Sequence, residues 1–308
     1  MTGRIALFTD DPGWHGKRLT QAFARRGYEA VYVALADCRV DLEGADLLGG
    51  IVIPGFEERL PDAAFVRGVS GGSLEQVVLR LDFLHVLPAL GVPVYNPARA
   101  IEKSVDKAMT SLLLKVSGVP TPATWAAESE AQARGILMRE SARGNELVLK
   151  PLFGSQGKGL RRLATPADLP PVCDCQGVYY LQRYVGPSDE AAGWEDYRVL
   201  VVGGSTRAAM TRRGASWINN VAQGAACAPA PADPELYRLA EAATRALEMD
   251  YAGVDVMRDR DGRLTVLEVN SIPAWRGLQS VTKADIAQML ADDLIDRHLA
   301  RTRRELRA

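Results

Sequence analysis

Three groups of residues in this 308-residue chain have types and spacing suited to chemistry. Glu268 and Asn270 stand two apart in RLTVLEVN, so a strand there turns both to one face. Asp255 in GVDV lies on the strand that would pair with it. Two carboxylates and an amide oxygen make a hard, all-oxygen set that suits Mg²⁺ held between protein and phosphates. Exposed carboxylates on a solvated hairpin face are also common, so the trio alone leaves both readings open. The second group is GSQGKG at 154–159, shortly after Lys150. Glycines let backbone N–H groups approach anionic oxygens, and a fixed ammonium beside them could meet phosphate. The run satisfies neither G-x-x-x-x-G-K-[ST] nor G-x-G-x-x-G, and taken alone it reads as a flexible turn. The third is TRRGASWINNVAQGA, 211–225, where two arginines precede Asn219 and Asn220. Arg and Asn suit phosphate and carboxylate oxygens, though a solvated loop carries them too.

The elements that must position these residues follow from pattern. Residues 4–8, 30–34, 51–54 and 92–96 read as strands, with helices over 16–26, stopped by Gly27, and over 73–90, capped by Ser73. This alternation predicts a small parallel α/β domain. A helix is expected over 104–118, with Asp106 and Lys107 in its first turns, before Pro120 and Pro122 break the chain. Beyond them the pattern reads as antiparallel strands: 146–151, 179–185, 197–204, and the pair 253–258 and 263–269 joined at Asp261 and Gly262. Helices are expected over 233–248 and 283–299. The arginine-rich last eight residues read as a solvated end.

Composition narrows the classes. Lys and Arg number 37 against 38 Asp and Glu, which removes the electrostatic case for a nucleic-acid partner. No run approaches the ~20 apolar residues of a membrane span. The five apolar residues near the N-terminus are too few for a signal-peptide core, so the cytoplasm is the expected location. Cys38, Cys173, Cys175 and Cys227 form no C-x-x-C pair and are expected as free thiols. His15, His85 and His298 lack metal spacing. The absence of G-x-S-x-G argues against a hydrolase, and the absence of G-x-G-x-x-G after the first strand argues against a dinucleotide oxidoreductase.

Taken in order, the segments 96–124, LVLKPLFGSQGKG, YLQRYV, EDYRVLVVGG, WINNVAQGA, GVDV and LEVNSIPAWRGLQ resemble the ATP-grasp superfamily. Within it they look most like its RimK-like branch of carboxylate–amine ligases, over roughly residues 96–280. The resemblance implies an α/β and α+β ATP-grasp fold. A Rossmann-like pre-ATP-grasp domain would span 1–100, a lid subdomain 101–186, and a metal- and substrate-binding subdomain 187–308. It implies ATP, one or two Mg²⁺ (or Mn²⁺) ions, and an acylphosphate that an amine then attacks. Lys107 and Lys150 would contact ATP phosphates. The loop containing Gly154, Ser155, Gln156 and Gly157 would close over them. Gln182, Arg183, Tyr184 and Val185 would form the hinge whose backbone reads adenine, and Asp196 would hold the ribose. Asp255, Glu268 and Asn270 would bind metal, while Arg198, Arg213 and Asn220 would lie by the γ-phosphate and acylphosphate.

Two positions depart from the branch's pattern. Gln223 stands where relatives often carry Arg, which puts the amino-acid substrate in question. Arg183 follows Gln182 where Glu is common, yet a backbone-read adenine tolerates that. The resemblance points to L-glutamate as the amine, to a small carboxylate acceptor of methanopterin or methanofuran type, and to a homo-oligomer. Asp10, Asp11, Trp14, His15 and Lys17 would line the acceptor side. Ligation onto a protein tail or an amino-group carrier protein, a thiol or D-amino-acid ligase, and a silent nucleotide-binding regulator remain the alternatives.

Overall fold

The computed structural model describes residues 3–43, 49–154, 157–187, 193–221 and 224–300. Ser155, Gln156, Gln223 and the arginine-rich tail lie outside them. The chain forms two compact units. One holds the chain up to Ile101, Met249–Tyr251 and the chain from Ile272 onward; the other holds Glu102–Glu248 and Ala252–Ser271. The expected divisions at 100 and 186 run in chain order, whereas the first unit takes back a short return and the C-terminal segment.

In the first unit, β1 (Gly3–Phe8), α1 (Gly13–Arg25) and β2 (Tyr28–Val33) are followed by a two-strand ribbon of β3 (Arg39–Val40) and β4 (Ile51–Val52). Next come β5 (Ala63–Val66), α2 (Leu74–Val86), β6 (Val94–Tyr95) and α3 (Ala98–Val105). The main sheet is parallel, in the order β2-β1-β5-β6. The third strand expected at 51–54 is corrected: Ile51–Val52 belongs to the ribbon, and Ala63–Val66 takes the place in the sheet. Those four residues are wholly buried and so show no alternation to read. Ser73 caps α2 through a reciprocal capping box with Gln76. Ile5, Leu7, Phe8 and Phe65 are among the core residues fully removed from solvent.

The second unit begins inside α3, at Glu102, and continues with α4 (Lys107–Val116). The helix expected over 104–118 breaks at Asp106, whose carboxylate accepts from the N–H groups of Ala108 and Met109 and restarts the chain as a new helix. A four-stranded antiparallel sheet follows, β7 (Thr124–Ala127), β8 (Leu147–Lys150), β9 (Arg161–Leu163) and β10 (Tyr179–Arg183), in the order β7-β10-β8-β9. One face packs on α5 (Glu130–Ser141) through Leu147, Leu149, Tyr179, Leu181, Ala133 and Leu137. The larger sheet holds β11 (Trp194–Val202), β12 (Ser205–Gly214), β13 (Ala226–Pro229), β14 (Tyr251–Arg258) and β15 (Leu264–Asn270), in the order β13-β12-β11-β14-β15. Helix α6 (Pro234–Ala246), capped by Asp233, packs on β11, β12 and β15.

The chain returns to the first unit with α7 (Arg276–Val281) and α8 (Ile286–Asp293), which runs into π-helical turns at Leu294–Leu299 rather than one helix over 283–299. Buried Asn96 pins the return at 249–251. Its amide N–H donates to the Tyr251 carbonyl (2.7 Å), and its oxygen accepts from the N–H groups of Asp250 and Tyr251. No helix among the described residues is long and apolar enough to cross a membrane. The four cysteines are unpaired.

Candidate active site

Backbone register brings the charged residues of the larger sheet together. Asp255 and Glu268 are direct partners across β14 and β15, and Gly253 is opposite Asn270. Directly opposed residues of an antiparallel pair share a face, so Asp255, Glu268 and Asn270 point the same way, as the spacing predicts. Across β11 and β12, Asp196 is opposite Arg212 and Arg198 opposite Met210. The side chains then close a ladder. Arg198 grips Asp255 with Nε and Nη2, the latter at 2.8 Å from Oδ2. Arg212 grips both oxygens of Asp196 (2.7 and 2.9 Å) and reaches Asp255 Oδ2 at 3.2 Å. Bidentate guanidinium–carboxylate pairs hold geometry as well as charge.

All members except Arg198 are nearly sealed from solvent: Arg212 is 4% exposed, Asp196 6% and Asp255 7%. Burial pushes the Asp196 carboxyl up to about 6 against the pull of Arg212. Burial acts the same way on Asp255, but Arg198 and Arg212 together outweigh it and hold that carboxyl below its usual range.

One sequence expectation changes here. Arg213 sits opposite Glu195 on the other face of β12, exposed and paired with that carboxylate at 2.5 Å. Arg212, not Arg213, faces the carboxylates. Each Asp196 oxygen accepts one bond from Arg212, which makes the residue a strut of the ladder. Asn219 also has a place the sequence left undefined. Its amide donates to the Arg212 carbonyl (2.9 Å), and its own oxygen is buried with no partner among the described residues. Asn220 lies in the same loop, its carbonyl accepting from the Ala225 N–H.

The lysines stand at element ends. Lys150 ends β8, and its ammonium donates to the Gln182 side-chain oxygen at 2.6 Å. Burial lowers its pKa to about 8; the charge of Lys107 pushes the same way, while Glu268 and Asp255 oppose it. Lys107 begins α4 and donates to the Gly154 carbonyl at 2.6 Å. Its pKa is lowered too, by burial, with Glu268 and Asp106 opposing. Both ammonium groups therefore lie within the field of Glu268. Gly154 holds φ +148° and Gly157 φ +71°, which favour glycine over any residue with a side chain.

In the hinge segment, the N–H groups of Arg183 and Tyr184 are already spent on the carbonyls of Ala123 and Glu146. Those two donors therefore serve the fold and are not open to a ligand. The Arg183 guanidinium pairs with buried Glu140. The Tyr184 hydroxyl accepts from the Trp194 indole, and the Arg162 guanidinium lies 4.0 Å over the Tyr184 ring.

The first unit presents a separate set. Its sheet order reverses between β1 and β5, the position where open parallel sheets bind ligands at their strand ends. Asp10 and Asp11 follow β1, and Ser70, in the loop after β5, donates to Asp10. Trp14 and His15 begin α1 and meet the Trp275 ring edge-on at 4.8 and 4.7 Å. His15 Nε2 accepts from the Trp275 backbone N–H. Burial, with the charges of Arg67 and Arg276, lowers the His15 pKa to about 4, so it is neutral near pH 7. Lys17 is exposed.

Comparison with known proteins decides the family. The RimK-like ATP-grasp domain model matches residues 104–294. The chain belongs to the RimK-like ATP-grasp family. It is 36% identical over 239 residues to the tetrahydromethanopterin:alpha-L-glutamate ligase of Methanococcus maripaludis, covering 76% of this chain and 78% of that one. It is 31% identical to a probable alpha-L-glutamate ligase of Parasynechococcus marenigrum, over 98% of this chain and 64% of the relative. The ATP-grasp ligase PsnB, in a complex with Mg and ADP, shares the fold at TM-score 0.74 and 21% identity, with 96% and 98% of the chains covered. A RimK domain protein of Sphaerobacter thermophilus does so at TM-score 0.67 and 22% identity, over 94% and 98%. This RimK-like protein is an ATP-dependent carboxylate–amine ligase of ATP-grasp fold.

Its residues suit a hard divalent cation. Asp255, Glu268 and Asn270 carry only oxygen donors and share one face, with the Asp255 oxygens already bonded to Arg198 and Arg212. Among the described residues no three His, Cys, Asp or Glu side chains gather as a metal cluster. The set here is two carboxylates and an amide, which leaves room for phosphate oxygens to complete a coordination shell.

Proposed function

We propose that this enzyme releases ADP while joining L-glutamate, through its amino group, to the carboxylate of a small acceptor of methanopterin or methanofuran type. The charges gathered at the ends of α4 and β8 and on the larger sheet carry the chemistry. Lys107, Lys150, Arg198 and Arg212 stand with Asp106, Asp196, Asp255 and Glu268, a balanced set of fixed cations and carboxylates suited to a polyphosphate bound with a divalent cation.

In this reading Lys107 and Lys150 hold ATP phosphates, and the loop 154–159 covers them. Asp255, Glu268 and Asn270 hold one or two Mg²⁺ ions, which neutralise charge building on the transferred phosphoryl group. Arg198, Arg212 and Asn220 lie beside the γ-phosphate. An acceptor carboxylate oxygen attacks the γ-phosphorus, the bond to the ADP oxygen breaks, and an acylphosphate forms. The glutamate nitrogen attacks the acyl carbon, the carbon–oxygen bond to phosphate breaks, and the nitrogen sheds its proton. Positioning and charge neutralisation suffice, since an amine needs only to be neutral and in line. Acceptor recognition falls to Asp10, Asp11, Trp14, His15 and Lys17 at the strand ends of the first unit. The relatives named for tetrahydromethanopterin support the acceptor class.

The test is Mg²⁺-dependent ADP release with L-glutamate across candidate acceptors, read by mass spectrometry. An acceptor heavier by one glutamyl unit is the expected product. ADP release with a protein tail alone would replace the small acceptor, and no ADP under any condition would count against the ligase assignment.

A further inference from the structure

Gln182 lies in the hinge strand, yet its side chain points away from any role in reading adenine through the backbone. On β10, Tyr180 is opposite Lys150 of β8, and Gln182 is opposite Thr124 of β7. Tyr180, Gln182, Lys150 and Thr124 therefore share one face, while Tyr179 and Leu181 turn to the α5 core. On that face the polar groups form a directed chain. The Thr124 hydroxyl donates to the Pro122 carbonyl at 2.8 Å, so its oxygen must accept from the Gln182 amide N–H at 3.2 Å. The same N–H₂ donates to the Tyr180 hydroxyl at 3.4 Å, which is bonded to Ser111 of α4 at 2.7 Å. With its nitrogen committed to two hydroxyls, the amide can present only oxygen to the Lys150 ammonium, at 2.6 Å.

Gln182 is 2% exposed, so an amide flip would bury unmatched donors and acceptors. A lysine on four methylenes would otherwise be free to swing onto the nearby carboxylates, whose charge it already feels. We infer that Gln182 is a positioning residue: its Thr124-locked amide oxygen holds the Lys150 ammonium at the phosphate site and keeps it off Glu268 and Asp255.

The inference rests on Lys150 as a phosphate contact, so its test separates the two. ATP with Mg²⁺ is titrated calorimetrically into the full-length wild type, Q182L, Q182E, T124V, K150A and the K150A/Q182L double variant, with melting temperatures in parallel. Q182L is expected to weaken ATP about tenfold, the scale of one charge-assisted hydrogen bond. Q182E, which sets a buried carboxylate against the Thr124 oxygen and beside the phosphates, is expected to lose at least as much as Q182L, and T124V, which only frees the amide to rotate, to lose about threefold. In the K150A background Q182L should cost nothing further. An equal loss from Q182L in both backgrounds would overturn the positioning role while leaving the phosphate site standing. Wild-type affinity in K150A would remove the phosphate contact and the inference with it. Should Q182L fail to fold, an unchanged Kd in T124V would by itself overturn the proposal.

Discussion

Asp196 and Arg212 are direct partners across β11 and β12, and their side chains close a bidentate ion pair that extends to Asp255 on the next strand. Three elements thus contribute to one buried ladder. Breaking such a pair strands uncompensated charge, which costs about 3–5 kcal/mol.

Arg212→Ala should therefore lower the melting temperature by roughly 6–20 °C and abolish ADP release. Arg213→Ala removes only an exposed pair with Glu195 and should stay within about 0.5 kcal/mol of wild type, with turnover retained. Thermal melts and ADP release on the two variants decide the matter. Comparable effects at both positions would contradict the facing assigned here.

The same strands explain what the sequence could and could not reveal. Beside the turn, Val202 pairs with Ser205 and Val201 with Thr206; a bulge then shifts the register, so that Leu200 meets Ala208. Continuing the turn-side register would have put Arg213 opposite Trp194, on the face of Asp196 and Arg198, and Arg212 on the other. One extra residue exchanges the two arginines, and no local pattern announces it. A second bulge after Asp255 brings Glu268, rather than Leu267, opposite it. Glu268 and Asn270 were legible as a pair because their spacing alone sets their face; Asp255 joins them through the bulge. Lys150 was legible because it ends a strand just before a glycine-rich run, whereas the Asp106 cap, which splits the helix expected over 104–118, was not. The ladder partner of Asp196 and the polar chain through Gln182 were not, because both depend on which strands neighbour one another.

Glu268→Gln removes a carboxylate that is half-buried and makes no ion pair with either lysine, though both feel its charge. The fold should hold, with a melting temperature within about 3 °C of wild type, while Mg²⁺-dependent ADP release falls at least about a hundredfold. A folded variant with normal turnover would remove Glu268 from the metal set.

ATP affinity should carry the titration of Lys150. Its pKa near 8 belongs to the free protein, and phosphate requires the charged ammonium. Binding above pH 8 must therefore first take up a proton, so affinity falls as pH rises. The loss should approach tenfold by about pH 9, because one unit in pH above the pKa leaves about a tenth of the group charged. Lys150→Arg keeps the charge at all these pH values and should flatten the step. A wild-type profile level from pH 7 to 9.5 would count against Lys150 as a phosphate contact.

His15 gives the opposite sign, on stability rather than binding. Burial and the charges of Arg67 and Arg276 depress its folded pKa to about 4, below the unfolded value of 6.5. The unfolded chain therefore takes up a proton first as the medium is acidified. Stability from neutral His15 is fully present above pH 6.5 and is lost as pH falls toward 4. His15→Gln can still accept from the Trp275 backbone N–H and has no proton to gain, so its melting temperature should decline less over that interval. Proton NMR of the three histidines should show one titrating near pH 4, with Arg67→Ala moving that midpoint upward. If every histidine titrates near 6.5, the neutral His15 assigned to the acceptor side is wrong, and an imidazolium would face the acceptor under mildly acidic conditions.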